Sequence, residues 1–324
     1  DVKNGDTLWR DAINKEMYNV SVAFEILESE RSPPPGWTKS SGHLVFDVKM
    51  DFTRKARWVK DGHRTADLNR STYAGVVSRE TVRIAMLYSA MNNVPIVAGD
   101  ILNAYLQAPS SEKHYIICGT EFGLENVGKV ALIRRALYGG KSAGCDFWNH
   151  LRDCMHFLGF TSCRTDPDLW IRPTTKLDET PCYDYVLLYV DDTLAISENA
   201  EHIIRNEIGK YFEMKEASIG KPTIYLGGKV NEVTLNNGAN AWSFSSSQYV
   251  QAAVRNVNDY LEKRGEKLQP KVKAPFTSNY RPELETTPEL DEIDSAYYAS
   301  LIGILRWIVE LGRIDIAVET SLMS

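Results

Sequence analysis

Three aspartates stand where their carboxylates can act together. Asp100 ends an apolar segment predicted as a strand, and Asp191-Asp192 separate two apolar segments, 183–190 and 193–197, predicted as a hairpin. If that strand pairs with the hairpin, the carboxylates converge, and their repulsion is costly unless a divalent cation offsets it. Carboxylate oxygens select Mg²⁺ or Mn²⁺, and a pair of such ions about 3.5–4 Å apart supports phosphoryl or nucleotidyl transfer.

The spacing of these residues leaves a second interpretation open. Asp191-Asp192 could be a solvated turn and Asp100 an ordinary strand end, because aspartate is common in turns. Asp-Gly or Asn-Gly, however, is stronger turn chemistry than Asp-Asp for a tight hairpin. Spacing alone therefore does not decide between a metal site and a turn.

The elements that must position the aspartates form a mixed pattern. Apolar periodicity predicts helices at 7–25, 79–92, 143–158, 201–213, 247–263 and 296–311. Strands are predicted within 43–60, 95–100, 115–118, 130–133, 183–190, 193–197, 224–235 and 241–244. Helices 79–92 and 143–158 are expected to pack on one face of the sheet that carries the aspartates. Helices and strands interleave, so the architecture is mixed.

Composition bounds the class of protein. Of 324 residues, 43% are apolar and 25% charged, typical of globular proteins, which excludes disordered and fibrous chains. The longest strongly apolar stretch, 185–190, is far shorter than the about 20 residues of a membrane helix, so we expect no membrane partner. Five scattered cysteines without a C-x-x-C pair predict reduced thiols in an intracellular protein. The start and end of the sequence suggest a fragment of something longer.

The net charge of −6 taken alone argues against a nucleic-acid binder. The distribution of charge along the chain does not argue against nucleic-acid binding. Residues 54–83 hold eight basic side chains against three acidic ones, while 283–294 hold six acids and no base. Phosphate binding depends on local charge. The sequence therefore predicts salt-sensitive nucleic-acid binding that weakens when Lys55, Arg57 and Lys60 are neutralised.

Further blocks accompany the aspartates in a fixed order over nearly the whole chain. They are Lys55-Ala-Arg-Trp-Val-Lys-Asp-Gly-His63, Asp100-Ile-Leu-Asn-Ala-Tyr-Leu106, Ala136-Leu-Tyr-Gly-Gly-Lys-Ser-Ala143, Tyr189-Val-Asp-Asp192, Tyr211-Phe-Glu-Met-Lys215, Tyr225-Leu-Gly-Gly-Lys-Val230, and Tyr298-Ala-Ser-Leu-Ile-Gly303 with Asp315-Ile-Ala317. This collinear set resembles the reverse transcriptases of Ty1/copia-type retrotransposons, the polymerase core of their Pol polyprotein.

The resemblance implies an α+β fold of the right-hand polymerase type. Fingers would comprise 1–93 and 107–142, the palm with its antiparallel sheet 94–106 and 143–230, and the thumb with the start of a connection region 231–324. No integrase or ribonuclease H domain is expected in this chain.

The resemblance also implies an RNA-directed DNA polymerase that adds deoxynucleotides to a primer 3′-OH by two-metal nucleotidyl transfer, copying retrotransposon RNA into cDNA. Its cofactor would be two Mg²⁺ ions, with Mn²⁺ as a substitute. Partners would be a primed RNA or DNA template, deoxynucleoside triphosphates and the flanking ribonuclease H and integrase segments. A cytoplasmic virus-like particle, with a later nuclear stage, is the implied location. A catalytically silent, retroelement-derived nucleic-acid-binding protein is the alternative.

The resemblance assigns the chemistry to named residues. Asp100, Asp191, Asp192 and the main-chain carbonyl of Ile101 would hold the metals, and Lys215 would protonate the pyrophosphate leaving group. A solvated lysine near a helix end is the alternative for Lys215. Because neighbouring strand residues point to opposite faces, Asp191 and Asp192 need not be equivalent ligands.

The incoming deoxynucleotide would be held by a second set of residues. Tyr105, after Ala104, occupies the steric-gate position, where a ring excludes a ribose 2′-OH; a core aromatic is the alternative. Lys55 and Arg57 suit the triphosphate, or are solvated surface charges. Lys141 and Ser142 would lie near the nucleotide and the template. The primer grip would be Tyr225, Leu226, Gly227 and Gly228, where the glycines allow a close approach of the backbone.

Three positions depart from the family pattern: Ser142 replaces Gln, Gly144 replaces Pro, and Ile314 replaces Pro. The first puts the details of template and nucleotide contacts in doubt. No departure falls on a predicted metal ligand.

Overall fold

The structure is a computed structural model that describes residues 5–28, 31–48, 53–176, 178–269 and 288–324, with residues 272, 276, 281, 284 and 286. The chain divides into two compact units, 1–221 and 222–324. None of the helices in the described part is both long and apolar enough to cross a lipid bilayer. Of the acidic run 283–294, residues 283, 285 and 287 lie outside the described residues, and the end of the run begins the helix Glu292–Glu310.

In its described residues, the first unit combines five α-helices of unequal length with eleven strands. The helices are α1 Leu8–Val20, α2 Arg79–Asn92, α3 Ala104–Gln107, α4 Ala143–Phe157 and α5 Ala200–His202. The strands are β1 Phe24–Ile26, β2 Thr38–Lys39, β3 Gly42–Val48, β4 Arg54–Lys60, β5 Ile96–Asp100, β6 His114–Ile117, β7 Val130–Ile133, β8 Thr161–Ser162, β9 Leu169–Thr175, β10 Pro181–Tyr189 and β11 Asp192–Ile196. The predicted mixed character of the fold is confirmed.

The central sheet of this unit has the strand order β5-β11-β10-β9-β8 and is antiparallel throughout. Its middle strand carries the run Val186, Leu187 and Leu188, each at most 3% exposed. A continuous apolar run is what a strand covered on both faces requires. The predicted pairing of the Asp100 strand with the hairpin is confirmed, because β5 pairs with β11.

The expectation that α2 and α4 share one face of this sheet is wrong. Phe147 on α4 packs in a core cluster with Val186 of β10. The ring of Tyr88 on α2 contacts Tyr185, 5.2 Å between centroids, and strand alternation puts Tyr185 on the face opposite Val186. Sequence periodicity identifies a buried side of each helix but carries no information on which sheet face receives it.

Two predicted elements differ in detail. Strand β9 has no counterpart among the predicted strands, and its Pro173 lacks the N–H that a strand interior needs. The structure resolves the conflict, since β8 pairs with β9 only near Trp170 and leaves residue 173 on a sheet edge. The helix predicted at 201–213 is the short α5, a π-helical turn Ile203–Glu207 and a 3₁₀ turn Ile208–Lys210, with the helix-breaking Gly209 in its last turn.

Two smaller sheets complete the first unit. One has the order β1-β7-β6-β2, and the other is the predicted hairpin of β3 and β4. The indole of Trp58 on β4 is 1% exposed and packs edge-to-face on Phe24, 5.1 Å between ring centroids. The backbone N–H of Trp58 also donates to Glu16 on α1. These contacts fix β4, and with it the alternating basic side chains on its other face.

The second unit begins with a three-stranded sheet and continues in helices. Its strands are β12 Ile224–Tyr225, β13 Gly228–Thr234 and β14 Asn240–Ser245, and its helices are α6 Ser247–Glu262, α7 Glu292–Glu310 and α8 Ala317–Leu322. Tyr260 stacks on Tyr297 at 3.8 Å between centroids, and Arg264 pairs with Asp294, so α6 and α7 pack together.

Candidate active site

The register of two strands sets the first pair of carboxylates. In the β5–β11 ladder, Asp192 lies directly opposite Asp100. Opposed residues of an antiparallel pair point to the same face, with Cβ atoms about 4.5–5.5 Å apart. Alternation from Leu194 places both aspartates on the face opposite the α4 core. Apolar strands thus bring together two acids that are 92 residues apart in sequence.

The hairpin tip differs from the sequence prediction. The two-residue loop is Val190-Asp191, not Asp191-Asp192, because Tyr189 pairs with Asp192 and Asp192 begins β11. Val190 has φ +55°, a left-handed conformation that costs a β-branched residue about 1–2 kcal/mol. The N–H of Ile101 donates to the carbonyl of Asp191 at 2.9 Å, which ties the tip to the end of β5.

The free edge of β5 is covered by the segment 213–220. The N–H of Lys215 donates to the carbonyl of Asp100 at 2.9 Å, and the N–H of Asp100 donates to the hydroxyl of Ser218 at 2.9 Å. This pairing brings Lys215 Nζ to 3.4 Å from Asp100 Oδ2, with 56% of the lysine side chain exposed. The predicted proton donor therefore lies beside a predicted metal ligand, although the two are 115 residues apart.

The carboxylates lie in one another's field. Burial, followed by the charges of Asp191 and Asp100, raises the pKa of Asp192 to about 6. Burial raises the pKa of Asp191 as well, with a further contribution from Asp100. Each ionised carboxylate thus disfavours the ionisation of its neighbours. Asp192 keeps this raised pKa although Lys215 pairs with Asp100, so the negative charge of the site is only partly compensated.

Carboxylate oxygens under mutual repulsion are a donor set that fits a hard divalent cation. In the described part of the chain, no three His, Cys, Asp or Glu side chains are grouped closely enough to hold an ion as they stand. Asp100 and Asp192 share a register position while Asp191 lies at the tip, so binding would require their side chains to turn to a common point. Ile101, whose carbonyl was the fourth predicted ligand, is fully buried.

Cationic and aromatic side chains surround Asp191. Lys55 and Arg57 alternate along β4 and both act to lower the pKa of Asp191, against the larger effect of burial. Tyr105 is half-buried, and burial followed by the charge of Asp191 raises its pKa. Its neighbour Ala104 belongs to the core, 4% exposed. The structure thus brings the predicted gate and triphosphate residues to the carboxylates.

Lys141 and Ser142 are engaged inside the protein. Lys141 Nζ donates to the carbonyl of Thr65 at 2.8 Å and pairs with Asp67 at 2.7 Å. Ser142 is 1% exposed, and both its N–H and its hydroxyl donate to Glu112 Oε1 at 2.7 Å. Both side chains are thus engaged within the protein in this conformation, and their substrate roles stay predictions.

A buried polar cluster was missed by sequence reasoning. It consists of Lys60, Glu112, His114 and Ser142, each at most 8% exposed. Lys60 pairs with Glu112, and His114 Nδ1 lies 3.0 Å from Glu112 Oε2 and 2.7 Å from Lys60 Nζ. The expectation that Lys60 binds template is therefore wrong in this structure. Strand alternation was the available signal, because Lys60 follows Ala56 and Trp58 on the buried side of β4.

Opposing effects set the ionisation of this cluster. Burial raises the pKa of Glu112, but hydrogen bonds from His114, Lys60 and Ser142 outweigh it and hold that pKa well below its usual range. Burial lowers the pKa of Lys60 despite its bond to Glu112. The cluster pairs opposite charges inside the protein, whereas the ion pair of the aspartate site, Lys215 with Asp100, is largely exposed.

Comparison with known proteins decides the family. Residues 35–262 match the family described as reverse transcriptase (RNA-dependent DNA polymerase). The chain belongs to the reverse transcriptase family. The predicted resemblance to Ty1/copia-type Pol polyproteins is also confirmed by the relatives.

Two relatives of this reverse transcriptase domain are Pol polyproteins of Arabidopsis thaliana. The chain is 26% identical over 222 residues to the retrovirus-related Pol polyprotein from transposon RE2, covering 65% of the chain and 15% of the polyprotein. The RE1 polyprotein is 26% identical over 211 residues, with 63% and 14% covered. The putative transposon Ty5-1 protein of Saccharomyces cerevisiae is 27% identical over 230 residues, with 69% and 68% covered. The chain thus spans only about a seventh of the two plant polyproteins it matches.

The predicted primer grip of this reverse transcriptase domain lies in the second unit. Tyr225 is 3% exposed and pairs with Gly228 around the two-residue turn Leu226-Gly227. Both turn residues have positive φ, +49° and +79°, as a type I′ hairpin turn requires. A Cβ at Gly228 would come within 2.3 Å of the Phe244 ring, so only glycine fits there. Contact with a primer stays a prediction.

Proposed function

We propose that the chain is an RNA-directed DNA polymerase that extends a primer by adding deoxynucleotides to its 3′-OH, copying retrotransposon RNA into cDNA. One observation carries the proposal. The β5–β11 register puts Asp192 opposite Asp100, and the hairpin tip adds Asp191 within reach of Lys55 and Arg57. The carboxylates suit divalent cations, and the two basic side chains suit the triphosphate that those cations accompany.

Asp100, Asp191, Asp192 and the carbonyl of Ile101 are the residues that would hold two Mg²⁺ ions. The ions, when bound, supply activation of the primer hydroxyl and neutralisation of charge on the triphosphate. The chain's own part is to place carboxylates on two paired strands, and to keep Asp191 at a tip anchored by the Ile101 N–H.

The neighbouring side chains then take substrate roles. Arg57 and Lys55 bind triphosphate oxygens from one face of β4, with the planar guanidinium able to bind two oxygens at once. Tyr105 closes the sugar pocket, so that a 2′-OH would meet its ring. Lys215, 3.4 Å from Asp100, is close enough to the carboxylates to donate a proton to departing pyrophosphate.

The wider assignments follow from family membership and are part of the proposal. Residues 1–93 and 107–142 act as fingers, 94–106 and 143–230 as palm, and 231–324 as thumb and start of the connection region. The template is a primed RNA or DNA strand. The domain works beside ribonuclease H and integrase segments of a polyprotein, inside a cytoplasmic virus-like particle.

Primer extension tests the proposal. Incorporation of dTTP on poly(rA)/oligo(dT) with Mg²⁺ is compared for wild type, Asp191→Asn, and the matched control Asp153→Asn, an exposed aspartate on α4. Asp191→Asn should lose about a thousand-fold in rate, since metal ligation supports several kcal/mol of charge stabilisation. The control should retain wild-type activity.

Two other outcomes contradict the proposal in different ways. Equal incorporation by wild type and Asp191→Asn would remove the site assignment. A folded wild type that binds primer–template but incorporates nothing would favour the silent nucleic-acid-binding protein instead.

A further inference from the structure

We infer that Tyr138 is a positioning residue that controls both sugar selection and triphosphate binding, by supporting Tyr105 on one side and Arg57 on the other. The inference rests on the proposed function, because it assigns those two residues to the sugar and the triphosphate. Tyr138 itself is not placed in contact with substrate.

The ring of Tyr138 contacts both substrate residues. Its centroid is 4.9 Å from that of Tyr105, with the planes tilted by 56°. On the Arg57 side, the guanidinium carbon lies 5.3 Å from the same centroid, within range of a cation–π contact. One side chain therefore touches a residue from α3 and a residue from β4, which are connected by no shared hydrogen-bonded sheet.

The backbone around Tyr138 leaves its ring little freedom. The N–H of Lys60 donates to the carbonyl of Tyr138 at 2.8 Å, and the preceding Leu137 is 2% exposed. Gly139 has φ +81°, and a Cβ there would lie 2.1 Å from the carbonyl oxygen of Lys60. A Cβ at Gly62 would likewise lie 2.0 Å from the carbonyl oxygen of Gly139. Only glycines allow this approach, so the ring is held against the end of β4.

A second aromatic ring also contacts Tyr105. The centroid of the Tyr105 ring lies 6.0 Å from that of Phe147 on α4, so the ring packs on the core as well as on Tyr138. Within the described part of the chain, neither Tyr105 nor Tyr138 uses its phenol oxygen in a hydrogen bond. Ring packing, rather than a hydroxyl contact, is what Tyr138 supplies to its neighbours.

This geometry predicts which property each variant changes. Without the Tyr138 ring, Tyr105 loses one wall and can turn away from the sugar, so a ribonucleotide enters more easily. Arg57 loses the surface on which it lies, so the KM for dTTP rises more than kcat falls. A merely structural loss would instead lower kcat for both sugars equally.

The experiment measures steady-state incorporation of dTTP and UTP on poly(rA)/oligo(dT) by Tyr138→Phe and Tyr138→Leu. Tyr138→Leu should lower discrimination against UTP by about three- to ten-fold, the range that one aromatic pair supports. Tyr138→Phe keeps the ring and should match wild type. Tyr88→Leu, which removes a comparable ring contact with Tyr185 at 5.2 Å, is the control and should leave discrimination unchanged.

A double variant separates direct from indirect action. In a Tyr105→Ala background, which admits UTP already, Tyr138→Leu should add no further loss of discrimination. An additive loss, or wild-type discrimination in folded Tyr138→Leu, would overturn the inference while leaving the polymerase proposal intact. Absence of dTTP incorporation by folded wild type would overturn both.

Discussion

The aspartate site and the buried polar cluster treat charge in opposite ways within one unit. At the site, burial and like charge together raise the pKa of Asp192 to about 6. In the cluster, Glu112 is 5% exposed, yet its pKa is held below the usual range by bonds from Lys60, His114 and Ser142. The aspartate site leaves its charge only partly compensated, although Lys215 pairs with Asp100, whereas the cluster pairs its charges inside the protein.

The difference in charge compensation indicates the role of each region. Uncompensated carboxylates destabilise the fold and are retained where a ligand supplies the missing positive charge. A buried ion pair with satisfied hydrogen bonds holds chain segments in register but leaves nothing for a ligand. In the cluster, the paired charges join β4 to the segment that begins α4, and so support the strand that carries Lys55 and Arg57.

The largest expected effect comes from unbalancing the cluster. Lys60→Met leaves Glu112 buried without its cation and should lower the free energy of unfolding by about 3–5 kcal/mol, measured by urea denaturation. The double variant Lys60→Met/Glu112→Leu removes both charges and should recover most of that loss. Equal destabilisation by the single and double variants would show that the pair does not act as a compensated unit.

The pH dependence of stability distinguishes the two regions next. Because the pKa of Glu112 is depressed on folding, its contribution is present above the unfolded pKa of about 4.3 and is lost as pH falls below it. Wild type should therefore lose stability more steeply than Glu112→Gln from about pH 4.3 downward. Parallel stability curves for the two proteins in that range would contradict the assigned role.

The sequence predicts these two regions unequally well. Asp191-Asp192 at the end of an apolar run and Asp100 at the end of another are visible as local patterns, and strand pairing completes the site. Glu112 and His114 meet Lys60 only through contacts between segments more than 50 residues apart, which no local pattern records. Val190 is similar, because nothing in its residue type favours a positive φ.

Neutralising the cations beside the site should have a smaller effect, on binding rather than on folding. Lys55→Gln and Arg57→Gln should each weaken the logarithmic salt dependence of primer–template affinity by about 1, the slope that one cation bound to phosphate contributes. Lys176→Gln, which removes a cation paired with Glu198 at 3.7 Å, is the control and should leave the slope unchanged. Equal slopes for all three variants and wild type would show that Lys55 and Arg57 do not contact primer–template phosphates.

The central claim is that the aspartate site carries uncompensated charge for a divalent cation. Its most direct test is the thermal unfolding midpoint of wild type and Asp191→Asn, with and without Mg²⁺. Without metal, Asp191→Asn should leave the free energy of unfolding unchanged or raise it by about 1 kcal/mol, since the substitution removes a repelling charge. With Mg²⁺, the midpoint of wild type should rise and that of the variant should not. A destabilised metal-free variant, or an equal rise in both proteins, would contradict the claim.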